Sequence, residues 1–344
     1  MRSWRPDSLA RRRANLELRG RVIAAVREFF AEAGFVEVDT PALQVSPGLE
    51  PHLKAFATVL HDPLSGAAVP RYLHTSPEFA MKKLLAGGME RIWQLCHVFR
   101  DGERGATHHP EFVMIEWYRA GASYRDIMAD CEALLRRVQQ AAAAEAFRWQ
   151  TKSADARRPW QYITVADAFR DFAGIDLLAT MADPRKPNLE TLAVAARQAG
   201  VPPHPGDDWE TLFFRIMLDR IEPRLGIGAP TVLYDYPLAQ AALARRKPED
   251  PRLAERFELY VCGLELANAF GELTNPVEQR ARFEVEQRKK QALYGETYPI
   301  DEDFLAALEH GLPGCAGIAL GFDRLVMLAA GAGHIEDVLW LPVG

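Results

Sequence analysis

A chain of 344 residues that is 48% hydrophobic and 26% charged has ordinary globular composition and enough length for one large domain or two smaller ones. No apolar run approaches the roughly 20 residues a membrane span requires, and charges stand where a signal peptide would carry its apolar stretch, so a soluble, cytosolic protein is expected. A net charge of −6 argues against a surface devoted to wrapping a polyanion. Cys96, Cys131, Cys262 and Cys315 lie far apart with no CxxC pair, which suggests neither a disulfide framework nor a zinc site but reduced, mostly buried thiols.

Arg2, Arg5, Arg11, Arg12 and Arg13 crowd the start of the chain and read as a solvated helix start, with a nucleic-acid or partner contact as the alternative. From Val22 the apolar residues Val22, Ile23, Val26, Phe29, Phe30 and Ala33 share one helical face, and Gly34 is placed to end that helix. A short strand, Phe35 to Val38, follows and is stopped by Asp39-Thr40-Pro41, because proline cannot donate to a sheet ladder. The pattern then predicts a helix from Pro77 to Ala86, a strand from Arg91 to Phe99, a polar loop from Arg100 to Pro110 and a strand from Glu111 to Tyr118, which together form an antiparallel hairpin.

An alanine-rich helix is expected between Ala120 and Ala146, and a polar connection from Thr151 to Pro159. The stretch 180–208 is the most punctuated by proline and glycine and is expected to be an insertion or surface excursion. Strand signals return at Thr231 to Tyr236 and Arg256 to Phe270. The chain closes with Gly317 to Asp323 running into an apolar helix, Arg324 to Ala330.

Chemistry concentrates in the hairpin. Phe99-Arg100-Asp101-Gly102-Glu103 opens its loop, His109-Pro110-Glu111-Phe112 closes it, and Glu116-Trp117-Tyr118 follows. An arginine leaving a strand edge offers a fork for phosphate or carboxylate oxygens, and Phe112 offers a ring on which a base can stack. Taken singly, Arg100 would be a surface residue and Phe112 a core residue. The second constellation is Gly317-Ile318-Ala319-Leu320-Gly321-Phe322-Asp323-Arg324, a glycine-spaced strand that delivers an arginine at a helix start.

With the helix ending at Gly34 and the strand stopped at Pro41, these segments resemble the three motifs of class II aminoacyl-tRNA synthetases, and the lysyl branch most closely. Thr75-Ser76-Pro77-Glu78, Asp235-Tyr236-Pro237 and the run from Arg256-Phe257-Glu258 through Gly271-Glu272-Leu273-Thr274-Asn275 are similar to lysyl-synthetase segments in the same order. The resemblance implies an α+β fold, a class II catalytic core with a mainly antiparallel sheet flanked by helices, forming one catalytic domain over 1–344 and a homodimer built partly through motif 1. It implies that Arg100 contacts the substrate carboxylate and the α-phosphate of ATP. Glu103 would read the adenine amino group, Phe112 and Arg324 would cover the two faces of the adenine, Arg324 would reach the γ-phosphate, and His108 would help hold the triphosphate.

The same resemblance assigns Mg2+ to Glu258 and Glu265. Seven residues apart on a regular strand these would face opposite sides, so a bulge near Cys262-Gly263 is expected. Ser76, Glu78, Glu116, Tyr118, Asn268, Glu272 and Ala319, with Arg100, would line the amino-acid pocket. Three carboxylates near one carboxylate-binding arginine suit a diamino acid such as lysine, because buried acids without cationic partners are costly.

Two departures from the synthetases stand out. Motif 1 begins near residue 20, which leaves no room for an anticodon-binding β-barrel of roughly a hundred residues, and no anticodon-binding domain is expected. Ala319 stands where synthetases that use α-lysine usually have glycine. Both departures, and the stretch Gln240-Ala241-Ala242-Leu243-Ala244, are similar to a family of truncated lysyl-synthetase paralogues, the elongation factor P β-lysine ligases. That resemblance implies ATP-dependent activation of (R)-β-lysine and its transfer to the ε-amino group of a lysine on elongation factor P. The alternatives are a free-standing enzyme that passes α-lysine to tRNA or a small acceptor, and a non-catalytic regulatory paralogue.

Overall fold

The structure is a computed structural model that describes residues 3–184 and 186–343, so Arg2 of the basic cluster lies outside the described residues. Its packing separates two compact units: one runs to Ala122 and resumes at Thr274, and the other is Ser123–Leu273. Each is built on a mainly antiparallel sheet flanked by helices, the α+β architecture expected. Among the described residues, no helix is long and apolar enough to cross a membrane.

The first unit opens with a helix at Pro6–Glu32 that buries Leu16, Val22, Ala25, Val26 and Phe30. Gly34, at φ 74°, turns the chain into the strand Val36–Glu37, which pairs in parallel with Arg91–Phe99. That strand forms the expected antiparallel hairpin with Glu111–Ala120, and Cys315–Gly321 adds to its far side. Phe30 stacks on Trp93 at 4.5 Å and meets Trp117 edge-on, so the long helix is seated on the sheet by aromatic rings. The helix Glu78–Ala86 packs Phe79 between Phe283 and Phe304, from the helices Pro276–Tyr294 and Glu302–Gly311. A small sheet formed by Leu43–Gln44, Ala68–Leu73 and Ala57–His61 stands beside these elements in sequence.

The solvated reading of the basic cluster holds for Arg5, Arg11 and Arg13, which are exposed, but not for Arg12. Arg12 is buried and donates to the carbonyl oxygens of Leu339 at 2.5 Å and Ser3 at 2.7 Å. A guanidinium can be buried here because those carbonyls satisfy its N–H groups.

The second unit begins with a helix at Tyr124–Ala141, shorter than expected, because Ser123 and Asp126 form a capping box that fixes its start. The expected polar connection 151–159 contains half of a small hairpin, Phe147–Trp149 against Lys152–Ala154. Within 180–208, the helix Leu189–Gln198 buries Leu192, Ala193 and Ala196 in a cluster with Phe169, Trp209 and Phe213. The sheet runs in the order Leu264–Gly271, Leu253–Val261, Thr231–Pro237 and Gln161–Thr164, with only the last pair parallel.

Candidate active site

In the first unit, the loop between the two hairpin strands and the helix Phe322–Ala330 bring five of the expected residues together. The Arg100 guanidinium lies 5.1 Å over the Phe112 ring, 3.6 Å from the Glu103 carboxylate, and donates to the Thr75 carbonyl at 3.4 Å. Arg324 reaches His108 Nε2 at 3.1 Å and the Thr107 carbonyl at 3.3 Å. Burial holds the His108 imidazole below its ordinary pKa, and the charges of Arg324 and Arg100 reinforce this against Glu103. The imidazole is therefore neutral at neutral pH. Two cations, a neutral imidazole and an aromatic face suit a polyanion attached to a flat ring.

Ser76, Glu116 and Tyr118 form a second group in the same unit. Glu116 is 1% exposed and accepts from the hydroxyls of Ser76 and, at 3.0 Å, Tyr118. Burial pushes its carboxyl up to about 8, helped by the charge of Glu78 and opposed by the two hydroxyls and by Lys82. Ala319 stands directly opposite Glu116 in the strand register, so its methyl shares the Glu116 face.

Glu78 corrects the pocket argument made from sequence. It is ion-paired with Lys82, whose side chain is 1% exposed, so it is not a carboxylate waiting for a cation. The signal was available: an acid and a lysine four residues apart on a helix face each other.

In the second unit, the stretch 256–270 is two strands rather than one. Cys262 and Gly263, both at positive φ, make the reversal, and the register slips by one residue opposite Leu259–Tyr260, so Leu266 is the extra residue. The expected bulge thus lies on the second strand, beyond the turn. Glu258 pairs with Asn268 and Tyr260 with Glu265, and residues 258 and 260 share a face, so both acids lie on one side of the sheet.

Glu258 is buried and fully engaged: Arg256 donates to one oxygen at 2.6 Å, and Tyr236 and Tyr260 donate to the other at 2.5 and 2.7 Å. Arg256 also donates to Asn268 at 3.1 Å. Sequence reasoning passed over Arg256 and Tyr260, although strand alternation places residues 256, 258 and 260 together. Among the described residues, no group of three or more His, Cys, Asp or Glu side chains could hold a metal by itself. Two carboxylates on one face still fit Mg2+, which keeps waters and takes phosphate oxygens. Glu272 is buried and bridges to Ala244, with Leu273 N–H donating to the Leu243 carbonyl at 3.0 Å, so the alanine-rich stretch lies against it. Cys131, Cys262 and Cys315 are buried thiols, as expected, and Cys96 is a half-buried thiol.

The profile of class II tRNA synthetases (D, K and N) matches residues 8–343. Curated relatives agree along nearly the whole length. A Vibrio atlanticus protein is 38% identical over 342 residues, covering 99% of this chain and 98% of its own. A Vibrio cholerae protein is 40% identical over 341 residues, covering 98% and 97%. A Sodalis glossinidius protein is 40% identical over 341 residues, covering 99% and 98%. All three are named elongation factor P (R)-β-lysine ligase.

Proposed function

We propose that this chain, which belongs to the class II tRNA synthetases (D, K and N), is an ATP-dependent ligase that activates (R)-β-lysine and transfers it to a lysine ε-amino group of elongation factor P. The observation that carries the reading is the grouping of Arg100, Glu103, His108, Phe112 and Arg324, which suits a nucleoside triphosphate. The names of relatives that match end to end supply the substrate and acceptor.

In this reading a substrate carboxylate oxygen attacks the α-phosphorus of ATP. The bond to the bridging oxygen breaks and pyrophosphate leaves, with Arg100 at the α-phosphate and Arg324 at the γ-phosphate offsetting developing charge. A deprotonated lysine amine then attacks the acyl carbon, an amide forms, AMP departs and the amine's proton is released. Phe112 stacks the adenine and Glu103 reads its amino group, while Ser76, Glu78, Glu116, Tyr118 and Ala319 contact the amino acid. Asn268 and Glu272 serve the amino acid, and Glu258 and Glu265 would hold Mg2+, which would supply positive charge to offset that on the phosphates. We read residues 1–344 as one catalytic domain, with 180–208 an elaboration on it, acting in the cytoplasm as a homodimer.

The test offers purified elongation factor P and bulk tRNA side by side, with ATP and (R)-β-lysine. The factor is expected to gain the mass of one β-lysyl unit at a single lysine, with no comparable charging of tRNA. Arg324→Ala should lower pyrophosphate exchange about a hundredfold, the usual loss for one preorganised charge contact of roughly 3 kcal/mol. Efficient tRNA charging with the factor unmodified favours the free-standing synthetase, and no exchange with lysine or β-lysine favours the regulatory paralogue.

A further inference from the structure

One buried ammonium has no part in the chemistry above. Lys290, on the helix Pro276–Tyr294, is 2% exposed. It donates to the carbonyl oxygens of Pro51 at 3.0 Å and Leu53 at 2.8 Å. The Tyr298 ring lies 4.6 Å away and the Tyr294 ring 5.4 Å, while Glu296, 41% exposed, stands at 3.7 Å. The ammonium has exchanged hydration for backbone oxygens and ring faces, an arrangement that is costly unless those partners are held in place. An apolar side chain of the same length would leave the Pro51 and Leu53 carbonyls without this donor. What the ammonium restrains is therefore informative.

It restrains the stretch 51–55, which opens on a turn at Pro51 and His52. Pro51 and Leu53 turn their carbonyls to Lys290, and Ala55 donates its N–H to the Tyr298 hydroxyl at 2.8 Å. The intervening Lys54 directs its backbone the other way, where its carbonyl accepts the N–H of Asp101 at 2.7 Å. The Lys54 ammonium also pairs with the Asp101 carboxylate at 3.0 Å. Asp101 directly follows Arg100 and stands two residues before Glu103. Ser76, Glu116 and Tyr118, by contrast, are tied to one another by their own hydrogen bonds.

We propose that Lys290 is a positioning residue for the nucleotide: with Tyr298 it fixes the strap 51–55, whose opposite edge sets where the loop carrying Arg100 and Glu103 begins. The inference rests on the assignment of Arg100 and Glu103 to ATP made above. It differs from a purely structural role because it predicts selectivity between the two substrates. A strap held less firmly shifts Arg100 and Glu103 while the Ser76–Glu116–Tyr118 group stays in place, so ATP, which meets both shifted residues, suffers more than the amino acid, which meets only Arg100 of the two.

The experiment is pyrophosphate exchange by the full-length protein, with ATP and (R)-β-lysine varied in turn. Lys290→Met keeps the stem and removes the donors, Lys290→Arg restores them, and Tyr298→Phe removes one hydroxyl. Lys290→Met is expected to raise KM for ATP about tenfold, since displacement by a fraction of an ångström is costly at such sites, and KM for β-lysine by no more than about threefold, since of the two shifted residues only Arg100 meets the amino acid. Tyr298→Phe should move KM for ATP the same way by about threefold, and Lys290→Arg should recover most of the loss. An unchanged KM for ATP, or equal rises for both substrates, overturns the proposal. Should Lys290→Met not melt cooperatively, Tyr298→Phe decides by the same criterion. A wild-type protein that does not exchange removes the ATP assignment itself, whereas an active wild type with indifferent variants removes only the role of Lys290.

Discussion

Ala319 and Glu116 stand opposite one another on neighbouring strands, and the Ala319 side chain is half-buried. Directly paired residues place their Cβ atoms about 5 Å apart, so the Ala319 methyl borders the volume around the Glu116 carboxyl. If that methyl excludes α-lysine, Ala319→Gly should improve α-lysine activation relative to β-lysine by about 1–3 kcal/mol, the range of single-methylene discrimination. The two kcat/KM values measure this, and an unchanged ratio removes the steric account. Glu116 carries a separate prediction. Its carboxyl is raised to about 8 by burial first and Glu78 second, so the folded state binds more protons than the unfolded state between its ordinary value near 4.5 and about 8. Its contribution to stability is therefore lost as pH rises through that window. Glu116→Gln should become progressively more stable relative to wild type from pH 5 to pH 8, as measured by urea unfolding. A difference that stays flat with pH would show that Glu116 titrates normally. At this scale the sequence exposed residue identities but not partners: Lys82 on Glu78 was legible from helix spacing, whereas the Ser76 bond to Glu116 spans forty positions.

Among the elements, the hairpin Arg91–Phe99 with Glu111–Ala120 was fully legible because two periodic apolar runs flank a charged loop. The long helix showed an apolar face only from Val22 onward, its basic start being read as solvated. Its first half turns two arginines, Arg12 and Arg19, to the buried face, so no apolar periodicity marks it. Arg19 pairs with Asp323, and the other Asp323 oxygen accepts the Val113 N–H at 2.8 Å. This fastens the helix Pro6–Glu32, the strand Glu111–Ala120 and the helix Phe322–Ala330 at one point. Removing one partner strands a buried charge, and Arg19→Met is expected to cost about 3–5 kcal/mol in denaturant unfolding. Adding Asp323→Asn to Arg19→Met should cost less than the sum of the two single changes. A loss below about 1 kcal/mol for Arg19→Met would show that the pair is compensated elsewhere.

For the whole molecule, the sequence by itself determined the family, because membership rests on which residues stand at which spacing over residues 8–343. Through that resemblance it also determined the α+β class, while local periodicity and the glycines and prolines that interrupt it marked the strands of the hairpin and the later strands near 231–236, 256–270 and 317–321, but not those at Leu43–Gln44, Ala57–His61, Ala68–Leu73 or Gln161–Thr164. Tertiary structure alone decided the charge state of the candidate site, since a carboxyl's pKa depends on burial and on neighbours distant in sequence. It put Arg256 and two tyrosines on Glu258, and it set the register slip at Leu266 that brings Glu265 to the same face. It also placed Lys290 beneath the strap at Pro51 and Leu53, some 240 residues away, a contact that no local pattern encodes because neither side of it has a periodicity to read.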